Sequence, residues 1–151
     1  MSRPSLVPEL AVTDLTASRN FWCDVLGFKV LYDRPEDGFA YLELDGAEIM
    51  LDQRDGGAPD RIGVWDTGPM ERPFGRGINL QIKTKNIGAA LARMRACGIA
   101  LHFGPEERWY RRGSEEIGVC QFLILDPDGY LVRLQQNLGT RPHMPPAFDI
   151  T

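Results

Sequence analysis

One pattern occurs twice along this chain, and the duplication limits the folds open to it more than any other feature. The first copy begins with an apolar run, Leu6 to Val12, ending in Thr13-Asp14: a strand that feeds a helix start. Ser18, Phe21, Trp22, Val25 and Leu26 then recur at helical spacing, and Gly27 stands where a helix closes. Phe28 to Tyr32 reads as a second strand, turned by Pro35-Glu36-Asp37-Gly38. Phe39, Tyr41 and Glu43 alternate with Ala40, Leu42 and Leu44, the two-residue period of a strand. Asp45-Gly46 signals a tight hairpin, with Glu48 to Asp52 as the returning strand. The order is β-α-β-β-β.

The same order returns roughly 70 to 80 residues later, a spacing too long for a solenoid repeat and suited to a duplicated module. Ile78, Leu80 and Ile82 alternate as a strand, and Asn86-Ile87 stands where Asp14-Leu15 stood. Ile87, Ala90, Leu91 and Met94 form a helical face stopped by Gly98. Strands are expected at Ile99 to Phe103, ending before Gly104-Pro105, at Val119 to Leu125, and at Tyr130 to Gln135 after the Asp126-Pro127-Asp128-Gly129 turn. The longer spacing in this half predicts an insertion between its strands, with Glu106 to Glu116 as a charged, solvated loop. Between the copies, residues 53–77 hold six glycines and three prolines, the composition of a connector. Its Val64-Trp65 and Phe74 suggest that parts of it fold back over a surface or pocket. The expected organisation is one α+β domain over 1–151: module 1 at about 5–53, connector 54–76, module 2 at about 77–138, and a loosely ordered Pro-rich tail, 139–151.

Composition removes several function classes. A net charge of −4 supplies no basic field for nucleic acid, and no apolar run is long enough to span a membrane. The stretch from Met1 to Pro8 carries one Arg and no apolar core, so the chain is expected to be cytoplasmic. Cys23, Cys97 and Cys120 show neither a CxxC nor a zinc spacing and are expected to be reduced core thiols. No GxSxG, HExxH or phosphate-loop motif occurs, so no catalytic residue is assigned.

The run Val12-Thr13-Asp14-Leu15, Ser18, Phe21-Trp22, Leu26-Gly27-Phe28 and the closing Asp126-Pro127-Asp128-Gly129, in that order, resemble the glyoxalase/bleomycin resistance protein/extradiol dioxygenase (vicinal oxygen chelate) superfamily, most closely its bleomycin resistance branch. The resemblance covers roughly residues 5–138. It implies tandem βαβββ modules whose strands form half-open cups around a pocket, completed in a homodimer. Metal-using members of this superfamily place a His on the opening strand and a Glu on the closing strand of a half. The corresponding positions here are expected near Val7 and Gly77 for opening, and Met50 and Arg133 for closing. None is a normal ligand, and a guanidinium repels a cation, so no metal or cofactor is expected.

A cup without metal retains aromatic faces, which stack flat ligands, and carboxylates, which attract cationic groups. The ligand-binding residues expected on this basis are Glu9, Phe39, Tyr41, Glu43, Trp65, Trp109 and Tyr110. Trp65 and Trp109-Tyr110 are placed in turn-rich insertions, where a core role is less expected. Phe39 and Tyr41 also suit a core, as does Phe122, and Phe21, Trp22 and Phe28 are assigned to it. Three readings follow. The first is a metal-independent protein sequestering a small hydrophobic or cationic compound, such as an antibiotic. The second is a metal-dependent lyase, isomerase or dioxygenase of the same fold, and the third a partner-binding domain with a vestigial pocket.

Overall fold

Both helices begin where the repeat places a short polar side chain. Asp14 accepts a hydrogen bond from the Ala17 amide at 3.1 Å, and Asn86 accepts one from Ala89 at 3.0 Å. Each satisfies an amide that a helix N-terminus leaves open. Helix α1 (Leu15–Asn20) runs on into a wider π-helical turn, Phe21–Val25; helix α2 spans Ile87–Ala96. Gly27 (φ +88) and Gly98 (φ +69) then reverse the chain in the left-handed region, so the two modules share their helix stops as well as their starts. The structure, a computed structural model, describes residues 2–54 and 65–146.

Among the described residues, eight strands complete the modules. The first contributes β1 (Glu9–Val12), β2 (Lys29–Arg34), β3 (Phe39–Leu44) and β4 (Ala47–Gln53). The second contributes β5 (Asn79–Lys83), β6 (Phe103–Arg112), β7 (Glu115–Leu125) and β8 (Leu131–Pro142). The sheets repeat one topology, β1-β4-β3-β2 and β5-β8-β7-β6, with the first pair of each parallel and the rest antiparallel. This is the tandem βαβββ arrangement expected from the repeat. Asp45 and Gly46 both take positive φ, the two-residue turn that matches strand twist, and so pair Leu44 with Ala47 and Tyr41 with Met50.

The two-residue strand period gives each sheet one face toward the helices and one free of them. Ala40, Leu42, Ile49 and Leu51 of the first sheet join Phe122, Ile124, Val132 and Leu134 of the second in a single core with Phe21, Trp22, Phe28 and Met94. Phe122 is therefore core, as are the three aromatics assigned there from sequence. Polar bonds reinforce the junction. Trp22 Nε1 donates to Asp126 Oδ2 at 3.2 Å, and the Thr13 hydroxyl and amide donate to Asp128 at 2.7 and 3.1 Å. Asp126 also accepts the Asp128 and Tyr130 amides, so these carboxylates build the turn and bind it to module 1.

Module 2 departs from expectation in its strands. The segment 106–116 is no loop: β6 starts at Phe103, runs through Gly104-Pro105, and pairs with β7 as far as Arg112 opposite Glu115. The added residues lengthen a hairpin, because Arg108, Trp109, Tyr110 and Arg111 each find a backbone partner across it. No strand forms over 99–102. β8 likewise continues through 139–142 instead of fraying, with Thr140 and Arg141 opposite Ile117 and Glu116. Phe74 of the connector is buried, its ring edge-on to Tyr130 at 6.0 Å; Val64 lies outside the described residues. Cys23 and Cys120 are half-buried, but Cys97 is exposed, since it follows α2 on the solvent side instead of joining its buried Ala90–Met94 stripe. None of the three is disulfide-bonded, and among the described residues no helix is long and apolar enough to cross a membrane.

Candidate functional site

β1 and β5 are edge strands of their sheets, and a cleft of about 480 Å³ lies between them. Its apolar wall comes from Leu10, Ile78, Leu80 and Leu131, while Trp65 and Met70 of the connector cover it. Glu9 and Arg54 supply charge at its margin, and Arg54 pairs with Asp52 at 2.7 Å and with Asp66 at 3.2 Å. Tyr130 also lines it, its hydroxyl donating to the Ala11 carbonyl at 2.8 Å. Burial and the nearby Asp126 and Asp128 charges push this hydroxyl up to about 12, so it remains a donor at any physiological pH. The size and mixed lining suit a small molecule with an apolar body.

The helix-free face of the first sheet carries an aromatic row. Tyr32 stacks on Tyr41 with centroids 5.0 Å apart and lies 6.0 Å from Phe39. Arg34 sits over Phe39 at 4.1 Å, and Arg3 over Tyr41 at 5.3 Å. Beneath them the buried Glu48 accepts from the Tyr41 hydroxyl at 2.9 Å and from Arg3 at 3.1 Å. Burial, then the bond to Glu48, pushes the Tyr41 hydroxyl above its usual range. The helix-free face of the second sheet mixes Leu123 and Leu131 with the polar Gln81, Gln121, Arg133 and Gln135. Gln121 is buried there, its Nε2 donating to Glu106 at 3.0 Å and to the Tyr110 hydroxyl at 2.9 Å. Gln81 donates to Gln135 at 2.6 Å across β5 and β8.

The residues expected from sequence to bind ligand fall in three places. Glu9 and Trp65 meet in the cleft. Phe39 and Tyr41 are buried on the first sheet by Tyr32 and the two arginines, with Glu43 farther along β3. Glu43 pairs with Lys29 and accepts the Gly46 amide at 3.0 Å; the amide bond, then Lys29, holds its carboxyl below the usual range. Trp109 and Tyr110 belong to the long β6–β7 hairpin, not to a turn-rich insertion. The Trp109 indole lies over Gly118, donates to Glu107 at 3.0 Å, and is capped by Arg141 at 4.1 Å.

A divalent metal does not fit these residues. Val7 and Gly77 precede β1 and β5, and the register sets Glu9 beside Met50 and Gln81 beside Arg133. A thioether, an amide and a guanidinium offer no hard anionic donor, so of these four residues only Glu9 carries a carboxylate. No group of three or more His, Cys, Asp or Glu side chains could hold a metal among the described residues. His143 is engaged by Glu116 at 3.1 Å.

Sequence reasoning missed Tyr32, Arg3, Glu48, Arg54, Met70, Tyr130 and Gln121. Glu48 was within reach, because a two-residue hairpin at Asp45-Gly46 sets it opposite Glu43 and two places from Tyr41's partner. The cleft was not, since it depends on how two sheet edges and the connector meet.

The sequence pattern of the Glyoxalase/Bleomycin resistance protein/Dioxygenase superfamily matches residues 6–134. No curated protein matches at the sequence level. Among solved structures, TioX from Micromonospora sp. ML1 superposes with a TM-score of 0.66 at 21% identity, covering 91% of this chain and 100% of that one. A virulence protein from Salmonella typhimurium gives 0.63 at 23% identity, covering 90% and 98%. The genomically encoded fosfomycin resistance protein FosX from Listeria monocytogenes gives 0.57 at 19% identity, covering 92% and 94%. At these identities the likeness establishes the fold.

Proposed function

We propose that this chain, which belongs to the Glyoxalase/Bleomycin resistance protein/Dioxygenase superfamily, is a metal-independent small-molecule binding protein. The observation that carries the reading is the cleft between β1 and β5, walled by Leu10, Ile78, Leu80 and Leu131 and covered by Trp65 and Met70. An exposed indole over an apolar wall gains by covering a ligand, since burial of apolar surface is worth about 25 cal/mol per Å². The donor set beside it has Met50, Gln81 and Arg133 where a metal would need anionic or imidazole ligands. Sequestration of a toxic small molecule, such as an antibiotic, is the biological role this suggests; one of the similar folds is itself named as a fosfomycin resistance protein. The working form is a cytoplasmic homodimer, in which a second copy covers exposed apolar residues such as Leu31, Tyr32, Phe103 and Leu125.

A thermal-shift screen across apolar small molecules, antibiotics and divalent metals tests the proposal. A ligand at a hundred times its Kd should stabilise the protein by about 2.7 kcal/mol, while metals leave the melting temperature unchanged. Stabilisation by a divalent metal alone, reversed by a chelator, would overturn it.

A further inference from the structure

Among the described residues, one positive charge on the helix-free face of the second sheet has no ion-pair partner. Arg133 lies on the central strand β8, between Gln81 of β5 and Leu123 of β7. Its Nε is buried and makes no hydrogen bond, and among the described residues the guanidinium forms no ion pair. A diagonal neighbour on β7, Gln121, is 3% exposed, and its Oε1 is likewise buried and unpartnered. The two Gln121 Nε2 bonds, to the Glu106 carboxylate and the Tyr110 hydroxyl, fix the amide so that its oxygen is the atom left open. A buried donor and a buried acceptor left unpaired each cost stability, and such groups occur chiefly where something else completes them.

We propose that Arg133 and Gln121 form a subsite for an organic oxyanion on an apolar body: a carboxylate, sulfonate or phosphate ester received by the guanidinium. Arg133 supplies a planar, permanently charged donor suited to two oxygens of one acid group. Gln121 Oε1 accepts from an N–H or O–H carried next to that acid. Glu106 lies near this pair and accepts from the Gln121 amide through Oε1, and among the described residues it forms no ion pair with Arg133. Lys83 of β5 adds a second positive charge on the same face, opposite Gln135. Leu131 joins the subsite to the cleft: it lines the cleft and stands two residues before Arg133, on the same face of β8. The inference rests on the small-molecule reading and replaces a cationic ligand with an anionic one. The whole chain carries −4, so any preference for an anion has to come from this local charge.

The test uses two fluorescent dyes that differ by one acid group: 8-anilino-1-naphthalenesulfonate and the neutral N-phenyl-1-naphthylamine. The native protein should bind the sulfonate about 10-fold or more tightly than the neutral dye. Arg133→Gln should weaken the sulfonate by about 10- to 100-fold and leave the neutral dye within about twofold. Arg133→Lys should fall between, because it keeps the charge and loses the planar fork; it also serves as the readout if the Gln variant does not fold. Neutral-dye binding with no preference for the sulfonate, unchanged in both variants, overturns the oxyanion subsite and leaves the small-molecule reading standing. No binding of either dye overturns both. Unchanged sulfonate binding with a halved light-scattering mass in Arg133→Gln would show that the guanidinium serves an acidic group of a second copy, and would overturn the subsite as well.

Discussion

Trp22→Phe probes the bond that ties the modules together. The indole is fully buried, edge-on to Phe21 and Phe28, and its Nε1 donates across the junction to Asp126. Phenylalanine keeps an aromatic ring there but removes that donor and leaves Asp126 Oδ2 buried and unpaired. Losing a hydrogen bond to a charged acceptor costs about 1.5–3 kcal/mol. The smaller ring adds a cavity term on the order of 1 kcal/mol. A total of about 2.5–4 kcal/mol corresponds to a fall in Tm of roughly 5–16 °C for a chain of this size. The deficit should also depend on pH. Burial raises the Asp126 carboxyl above its ordinary range, and the Trp22 bond opposes that rise. The folded state therefore holds the proton more tightly than the unfolded state does. This group's contribution is greatest below the unfolded pKa and declines as pH rises toward the folded one. Removing the Trp22 donor raises the folded pKa further, so the variant loses more as pH climbs. Differential scanning calorimetry at pH 4.5 and 7.5 should show the larger deficit at pH 7.5. A deficit equal at both pH values would mean that only packing was lost.

Other substitutions separate the roles assigned above. Gly129→Ala should lower Tm far more than Gly113→Ala: both have positive φ, but a methyl at Gly129 would meet Pro73 at 2.6 Å while Gly113 has open space. Thermal denaturation of the two variants checks this. Trp65→Ala should weaken a cleft-bound apolar dye by about 1–3 kcal/mol in a fluorescence titration. Trp109→Ala should leave that affinity intact, because Arg141 and Gly118 already cover its ring. Without ligand, Arg133→Met should hold or raise Tm, since it removes a half-buried unpaired charge; a fall of several degrees would show that the guanidinium is satisfied in the free protein.

The duplicated punctuation carried most of the fold into the sequence. Asp14 and Asn86 cap helices, Gly27 and Gly98 stop them, and Asp45-Gly46 turns a hairpin, each through local chemistry that needs no distant partner. The β6–β7 hairpin was hidden because Glu106–Glu116 mixes charges without alternation; its strand form comes from β6 pairing with β7 and β7 with β8, where Arg141 covers Trp109 and bonds Glu116. The site was legible only in part. Glu9 and Trp65 sit together in the cleft, yet Phe39 and Tyr41 are covered by Tyr32, Arg34 and Arg3 from other segments. Arg133 was noticed as a residue unable to bind metal. Its lack of a counter-ion is a property of the folded surroundings, and no reading of spacing could supply it.

Metal-independent binding in the cleft is tested most directly by titrating N-phenyl-1-naphthylamine into protein dialysed against EDTA, then repeating the titration with added zinc or manganese. Saturable binding of one dye per chain should appear in the metal-free protein, with the same Kd after either metal is added. Binding that appears only when metal is restored, or no saturable binding in any condition, would contradict it.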